Sequence, residues 1–530
     1  MSRISILDCT LRDGGYINGW NFGGAVIRHI IDNLARANVE IIECGFLRGV
    51  PYDPDLSVFS DMGQIADIIA PKKRNAMYVG MLAIGDMPVG DIPPRDDASL
   101  DGIRVTFHHH EWDAAMRAVE ELAAKGYLIF VQPVGTTSYS DMDLLKLVEK
   151  ANRVSPYALY VVDTLGTMYP NDLLRTWNLL DNNLDQDIVI GFHSHNNLQL
   201  SFSNAQSLLT LQTRRHTIID ASILGMGRAA GNLCTELIAQ YVNQTIAPRY
   251  DIQPLLEIAE NHLLPIQQAT PWGYSLPYYL AAVNGVHPNY ATDLLGRQTL
   301  DMKSMGILLD RIPPEKRPLY DRELSGRLYQ EFQSHKADHG AALANLRKRL
   351  PADRPLMLLA SGNSITEHRA AIDGFIADNN PFIISINFIP EHFRPDMVFF
   401  SNLKRFESIG DLRSATSLPL VVTSNILQQT ADPDVIIADY ATTLGYGGMV
   451  DNSGIMAIKL MEQAGHDVVH LAGFDGFSGN VQKNFYSREL FNSISPETAH
   501  ELNITIRDEL RKLSGRIGLR FVTPSRFGPG

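Results

Sequence analysis

Short, continuously apolar and β-branched runs recur along the first 225 residues, separated by longer amphipathic stretches. The runs are Ile4–Leu7, Ile41–Phe46, Ala76–Leu82, Gly102–Phe107, Tyr127–Gln132, Leu159–Asp163, Ile188–Phe192 and Thr217–Ser222. Runs without a polar alternation suit strands covered on both faces, as in a parallel sheet. Trp112–Lys125 and Asp141–Arg153 carry helical spacing between them. Eight such βα units predict a closed (β/α)8 barrel rather than an open sheet.

The pattern then changes. Residues 251–350 read as a helical extension and linker, with segments at Leu255–Leu263, Pro277–Val283 and a polar run Asp321–Leu350 broken near Gly340. Pro351 and Pro355 mark a boundary. A second α/β pattern follows, with strands expected at Leu356–Ala360, Phe382–Ile386, Met397–Phe400, Leu420–Thr423, Val435–Ala438 and Val468–Ala472. Helical stretches Ile365–Ala377 and Gly454–Ala464 lie between them, which predicts a Rossmann-like open sheet over 351–530. The expected organisation is therefore a barrel domain over 1–250, the helical region over 251–350 and the open sheet over 351–530.

Composition narrows the function classes. Of 530 residues, 45% are hydrophobic and 20% charged, which excludes a disordered scaffold or a fibre. The net charge of −13 gives no basic field for nucleic acid, and neither nucleic acid nor membrane is an expected partner. No apolar stretch reaches 18 residues. Cys9, Cys44 and Cys234 are too few and too far apart for a disulfide framework, and with no signal run at the N-terminus the expected location is the cytoplasm.

The chemistry lies where barrel strands end, and those ends share one face. Arg12, Asp13, Gly14 and Gly15 follow the first strand, Glu43 sits inside the second, and His193-Ser194-His195-Asn196-Asn197 follows the seventh. Gly225-Met226-Gly227-Arg228-Ala229-Ala230-Gly231-Asn232 follows the eighth. Residues i and i+2 of a strand point the same way, so His193 and His195 can face one ion, with Asp13 as third ligand. Glu43, costly in an apolar strand unless paired, is expected to hold Arg12 and orient a water on the ion. Arg12 and a metal ion together would polarise the carbonyl of a 2-oxo acid. The glycine-rich loop offers backbone N–H groups to a carboxylate or phosphate, or is a tight rim turn. His108, in His108-His109-His110 after the fourth strand, is a candidate acid–base group.

Leu7–Gly15, Glu43, Gly191–Leu198 and the Gly225–Asn232 loop together resemble the DRE-TIM metallolyases, and most of all their 4-hydroxy-2-oxovalerate aldolase branch. The resemblance spans about residues 1–295 and implies a TIM barrel that makes or breaks carbon–carbon bonds next to a 2-oxo acid. It implies Asp13, His193 and His195 as metal ligands, Asn232 as a further one, and Arg12 on the pyruvyl carbonyl. The expected ion is Mn2+, with Mg2+, Zn2+ or Co2+ as alternatives, and two nitrogen ligands favour a transition ion. A homodimer is also an expectation from the resemblance. The chain departs from the family at three places. Tyr16 stands where the aldolases carry a histidine, Asn284 near His287 where they carry a tyrosine, and Arg228-Ala229 where the lyase branch carries a cysteine.

In the second α/β part, Ser361-Gly362-Asn363-Ser364 follows a strand and opens a helix, and Asn387 ends the next strand. Ser361, Gly362, Asn363 and Asn387 are the candidate contacts to a nucleotide or nucleotide sugar. The pattern is loosely similar to sialyltransferase-like domains associated with surface polysaccharides. The leading expectation is a metal-dependent aldolase-like lyase that joins pyruvate or a related 2-oxo acid to an aldehyde-type acceptor, or releases it, in surface-glycan or sugar-acid synthesis. The alternatives are a Claisen-type acyl-CoA synthase, a nucleotide-sugar transferase and a scaffold with a degenerate barrel.

Overall fold

A computed structural model describes residues 4–528 except 212, 409–417, 428–431, 445–450, 480–483 and 488–495. These residues form two compact units, Met1–Pro288 with Ile312–Tyr320, and Asn289–Arg311 with Asp321–Gly530. Among the described residues no helix is long and apolar enough to cross a membrane.

In the first unit nine strands form one parallel sheet. They are β1 (Ile4–Asp8), β2 (Ile41–Leu47), β3 (Val58–Phe59), β4 (Met77–Ala83), β5 (Gly102–Phe107), β6 (Leu128–Pro133), β7 (Ala158–Asp163), β8 (Val189–Ser194) and β9 (Thr217–Ala221). β1 pairs with β9 through Leu7↔Asp220 and with β2 through Leu7↔Ile41, so eight of the strands close a barrel and β3 is a short addition beside β2. All eight expected barrel strands are present. Both faces are buried, which explains their unbroken apolar runs. Ile103, Val105, Ile129, Val131, Val161 and Ile190 pack outward under the helices. Leu7, Ile41, Val79, Phe130, Tyr160 and Ile218 fill the barrel interior. A register shift between Glu43 and Phe46 marks a bulge in β2, which re-aims the strand where its carboxylate is needed.

The second unit is a seven-stranded parallel sheet. Its strands are β10 (Leu356–Leu359), β11 (Phe382–Ile386), β12 (Met397–Phe400), β13 (Leu420–Thr423), β14 (Val435–Ala438), β15 (Val468–Ala472) and β16 (Gly518–Phe521). Their order is β14-β13-β12-β11-β10-β15-β16, so the strand order reverses between β10 and β15. Six of the seven were expected. β16 was not, because Gly-Leu-Arg-Phe is a partly exposed edge strand with no continuous apolar run.

Residues 251–350 do not form a unit of their own; they are shared between the two. Helices Leu276–Val283 and Gln253–Ala269, the latter with one π-helical turn, belong to the barrel unit. Helix His339–Arg349 places Ala342 and Leu346 in the core beneath the second sheet. The break expected near Gly340 falls at 334–338, where Asp338 caps the helix that contains Gly340.

Gly191 of β8 shows how tightly the barrel interior is filled, since a Cβ there would lie 2.2 Å from the ring of Tyr160. Gly191→Val is expected to lower the unfolding free energy by ~1–3 kcal/mol, read by urea denaturation, because the fully buried ring has nowhere to move.

Candidate metal centre

Strand geometry sets the first two groups. His193 lies in β8 and His195 just past it, both buried, with ring centroids 5.4 Å apart. Asp13 comes from the turn after β1, where Cys9 O accepts the N–H groups of both Arg12 and Asp13. One ligand atom from each of Asp13, His193 and His195 falls within 4.8 Å of the others, an arrangement that can hold a metal ion. Asn232 joins them through a backbone bridge to His195. Its Nδ2 donates to Asp13 Oδ2 at 2.6 Å, while its Oδ1 is buried and, among the described residues, accepts nothing.

Gly227 makes this approach feasible. A Cβ there would meet Asn232 Nδ2 at 2.4 Å and Asp13 Oδ2 at 3.0 Å. The glycine-rich loop is otherwise spent on itself. Ala230 N–H donates to Asn197 Oδ1, Gly231 N–H to Arg228 O, and Asn232 N–H to Gly225 O. Those three groups are not available to an anion, which favours the rim-turn reading of the loop.

A chain of buried charges surrounds the cluster. Arg12 Nη1 donates to Asp13 Oδ1 at 2.6 Å and Arg12 Nε to Glu43 Oε2 at 2.8 Å. Arg104 Nη1 lies 2.7 Å from the same Glu43 oxygen, and its Nη2 donates to Asp220 Oδ2. Asp220 Oδ2 is 3.0 Å from His193 Nδ1. With the proton on Nδ1 facing Asp220, His193 presents the Nε2 lone pair, the second contact that metal-bound histidines usually make. Three carboxylates thus face two guanidinium groups, with the charge of a third, Arg228, acting on Asp13.

The titration directions agree. Burial by itself raises the Asp13 pKa, but Arg12, His195 and His193 outweigh it and hold the carboxyl well below the ordinary carboxylate range. Burial brings His195 down to about 3, so it is neutral near pH 7, as a ligand must be. Burial also works against the charged form of Asp220, yet Arg104 and His193 keep it ionised.

The other polar residues at the strand ends have partners of their own. Tyr16 packs edge-on against Trp20 with centroids 4.8 Å apart, and the Arg228 guanidinium lies 4.2 Å over its ring. His108 caps the turn at 109–111, donates its backbone N–H to Glu111 Oε2, and stacks on His110. His109 turns away to Trp112, Tyr139 and Asp143. Asp163 accepts the Thr167 and Met168 N–H groups and so serves as a turn cap.

Sequence reasoning passed over four groups. Arg104 in β5 and Asp220 in β9 are charges inside apolar strands, the same signal that singled out Glu43. Arg228 was read only as a departure from the family; its charge reaches Asp13, His195 and His287. His287 is buried, and burial, then Arg228 and His108, bring its pKa down to about 4.

The HMGL-like family profile matches residues 104–261. 4-hydroxy-2-oxovalerate aldolase 2 of Rhodococcus jostii (strain RHA1) is 30% identical over 282 residues, which are 50% of this chain and 77% of that protein. The chain belongs to the HMGL-like family of DRE-TIM metallolyases. It is an enzyme of the lyase and aldolase class, with an added C-terminal region. Oxaloacetate decarboxylase of Mycobacterium tuberculosis (strain ATCC 25618 / H37Rv) is 25% identical over 287 residues, 52% of this chain and 82% of that protein. A solved HMG-CoA lyase from Brucella melitensis, 14% identical, covers 51% of this chain and 99% of its own, with a TM-score of 0.40. Within this DRE-TIM barrel, the charged chain through Arg104 is what brings Arg12 and His193 to the ligand cluster.

Two measurements check these assignments. Arg104→Met leaves Glu43 with Arg12 alone and Asp220 with His193 alone in the interior, and is expected to cost ~3–5 kcal/mol of unfolding free energy. His287 titrates at 6.5 when unfolded and about 4 when folded, so only the unfolded chain takes up its proton between those values. Stability is therefore full above pH 6.5 and falls as pH drops toward 4, by up to about 3 kcal/mol. His287→Asn is expected to flatten that part of the stability–pH curve.

Proposed function

We propose that the barrel is a divalent-metal-dependent carbon–carbon lyase that enolises pyruvate or a related 2-oxo acid and adds it to, or releases it from, an aldehyde-type acceptor. The observation that carries this reading is the buried Asp13, His193 and His195 cluster with the Arg12 guanidinium held against it. Asp13, His193 and His195 would hold the ion, and the unpartnered Oδ1 of Asn232 fits a fourth contact. Mn2+ suits two imidazoles better than Mg2+ does, and Zn2+ or Co2+ would also fit. The ion, when bound, supplies Lewis-acid polarisation of the 2-oxo carbonyl.

The chain's own residues do the rest. Asp13 and Glu43 fix Nη1 and Nε of Arg12, which leaves Nη2 to donate to the carbonyl oxygen as negative charge develops there. Glu43 is in turn held by Arg104, so the fork is oriented before substrate arrives. Arg228, over Tyr16, is placed to take a substrate carboxylate. On the acceptor side Tyr16 replaces the family histidine as hydrogen-bond donor. His287, neutral near pH 7, is a better base than a tyrosine, and His108 lies near enough for its charge to act on His287. The three unbridged cysteines, two of them buried, suit a cytoplasmic enzyme. A homodimer belongs to the same reading. The second unit is read as binding a nucleotide or nucleotide sugar, which would tie the lyase to sugar-acid or surface-glycan synthesis.

The test is deuterium exchange into the methyl group of pyruvate, followed by NMR with added Mn2+. Exchange is expected with the ion, is abolished by EDTA, and falls about 10²-fold or more in His193→Ala. No exchange with Mn2+ shown to be bound would rule out pyruvate as donor. Protection by acetyl-CoA would then favour the Claisen-type synthase.

A further inference from the structure

The second unit holds a cavity of about 400 Å³, within the ~300–1,000 Å³ range of small-molecule sites. Its lining includes Ser361 and Gly362 after β10, Asn387 after β11, Arg405 beyond β12, and Asp475 after β15. It thus lies outside the carboxyl ends of the strands and takes in the point where strand order reverses, the place where open α/β sheets bind ligands.

The turn after β10 is a poor place for phosphate. Asp475 Oδ2 already accepts the Ser364 N–H at 2.7 Å, and its Oδ1 accepts the Ser364 hydroxyl. A Cβ on Gly362 would meet Gly473 O at 2.4 Å, so the turn is packed shut against the end of β15. Asn363 turns along its own helix to Glu367 Oε1 at 2.7 Å and is not among the residues lining the cavity. A carboxylate fixed at this position repels an incoming anion and accepts hydroxyl groups instead.

The other end carries two arginines; Arg297 pairs with Asp293 at 3.2 Å, and the Asp451 carboxyl beside it accepts the Tyr329 hydroxyl. Arg405, about nine-tenths buried, lines the cavity with its guanidinium 5.6 Å from the Phe485 ring centre. Arg297 also lines it, its guanidinium 4.4 Å over Tyr329, and among the described residues its Nε is buried with no hydrogen-bond partner. Ser453 and Gly454, the first two residues of the helix Ser453–Gln463, share this lining, and Asn452 caps that helix through the Ile455 N–H. Asn387 Nδ2 and the Ser401 hydroxyl both donate to Ser453 Oγ, which fixes the helix start against the ends of β11 and β12. β12 and β15 are separated by β11 and β10, so the cationic and carboxylate ends stand roughly 14 Å apart. Phe477 and Phe485 also line the cavity, packed edge-on with ring centroids 6.4 Å apart.

We propose that Arg297 and Arg405, with the start of the Ser453–Gln463 helix, bind the diphosphate of a nucleoside diphosphate or nucleotide sugar, while Asp475 takes hydroxyl groups at the far end. The assignment rests on the nucleotide reading of the second unit, and it moves the phosphate away from Ser361–Asn363. A planar base suits the open face of one of the Phe477 and Phe485 rings, and guanidinium forks suit a diphosphate.

Isothermal titration of the full chain in EDTA, which keeps the barrel free of divalent ions, tests this with ADP, GDP, CDP and UDP, the parent nucleosides and inorganic pyrophosphate. At least one diphosphate is expected to bind, with its nucleoside and pyrophosphate each about tenfold weaker or more. Arg405→Gln and Arg297→Gln are each expected to weaken binding about tenfold or more, and Asn363→Ala to leave it unchanged. The Arg297 side chain is 30% exposed, so Arg297→Gln reports on binding without emptying a core position. Undiminished binding in that variant would overturn the phosphate assignment and leave the nucleotide reading standing. Pyrophosphate binding as tightly as every nucleotide would overturn the nucleoside part. No binding by any of the four diphosphates would overturn both.

Discussion

One buried line of charge organises the barrel: Asp13 to Arg12, Arg12 to Glu43, Glu43 to Arg104, Arg104 to Asp220, and Asp220 to His193. Taking each of these ions out of water costs several kcal/mol, so none would persist in the interior alone. Together each carboxylate faces at least one cation or imidazole, and each guanidinium faces two carboxylates. The line begins and ends at residues of the ligand cluster. The same contacts that make the charges tolerable therefore aim Arg12, set the His193 tautomer and keep Asp13 ionised. Structure and chemistry share one set of hydrogen bonds, and removing a middle member such as Arg104 disturbs both ends.

The closed parallel sheet is what lets that line exist. β1, β2, β5, β8 and β9 each contribute to it or to the residues beside it, and barrel closure through the β1–β2 and β1–β9 pairings brings them together. Small residues fill the places where side chains would obstruct. Gly191 makes room for Tyr160, and Gly227 lets its loop reach Asp13 and Asn232. The departures from the family, Tyr16, Asn284 and Arg228-Ala229, leave Arg12, Asp13, His193 and His195 in place. On the proposed reading, that division keeps the 2-oxo acid chemistry and changes the acceptor.

The second unit follows the logic of an open sheet. Its cavity opens where strand order reverses, with Arg297, Arg405 and Asp451 towards one end and Asp475 at the other. The glycine turn after β10 looked phosphate-friendly as a string of residues. In the fold it is a packing device, because Asp475 comes from the turn after a strand more than a hundred residues later and occupies the helix start itself.

Periodicity alone located all eight barrel strands and six of the seven in the second sheet, since strands buried on both faces leave continuous apolar runs. Strand-end motifs alone singled out Asp13, His193, His195, Arg12 and Glu43, because a polar group at such a position must be paired or functional. What only the tertiary structure decided was pairing over long separations. Arg104 joins Glu43 to Asp220, Arg228 stacks on Tyr16, Asp475 closes the Ser364 turn, and the residues of 251–350 divide between two cores. These partners lie tens to hundreds of residues apart, and local pattern carries no information about which distant charge a buried group will meet. Sequence fixes where polar groups enter the interior; closure of the barrel and the crossing order of the sheet settle which of them face each other.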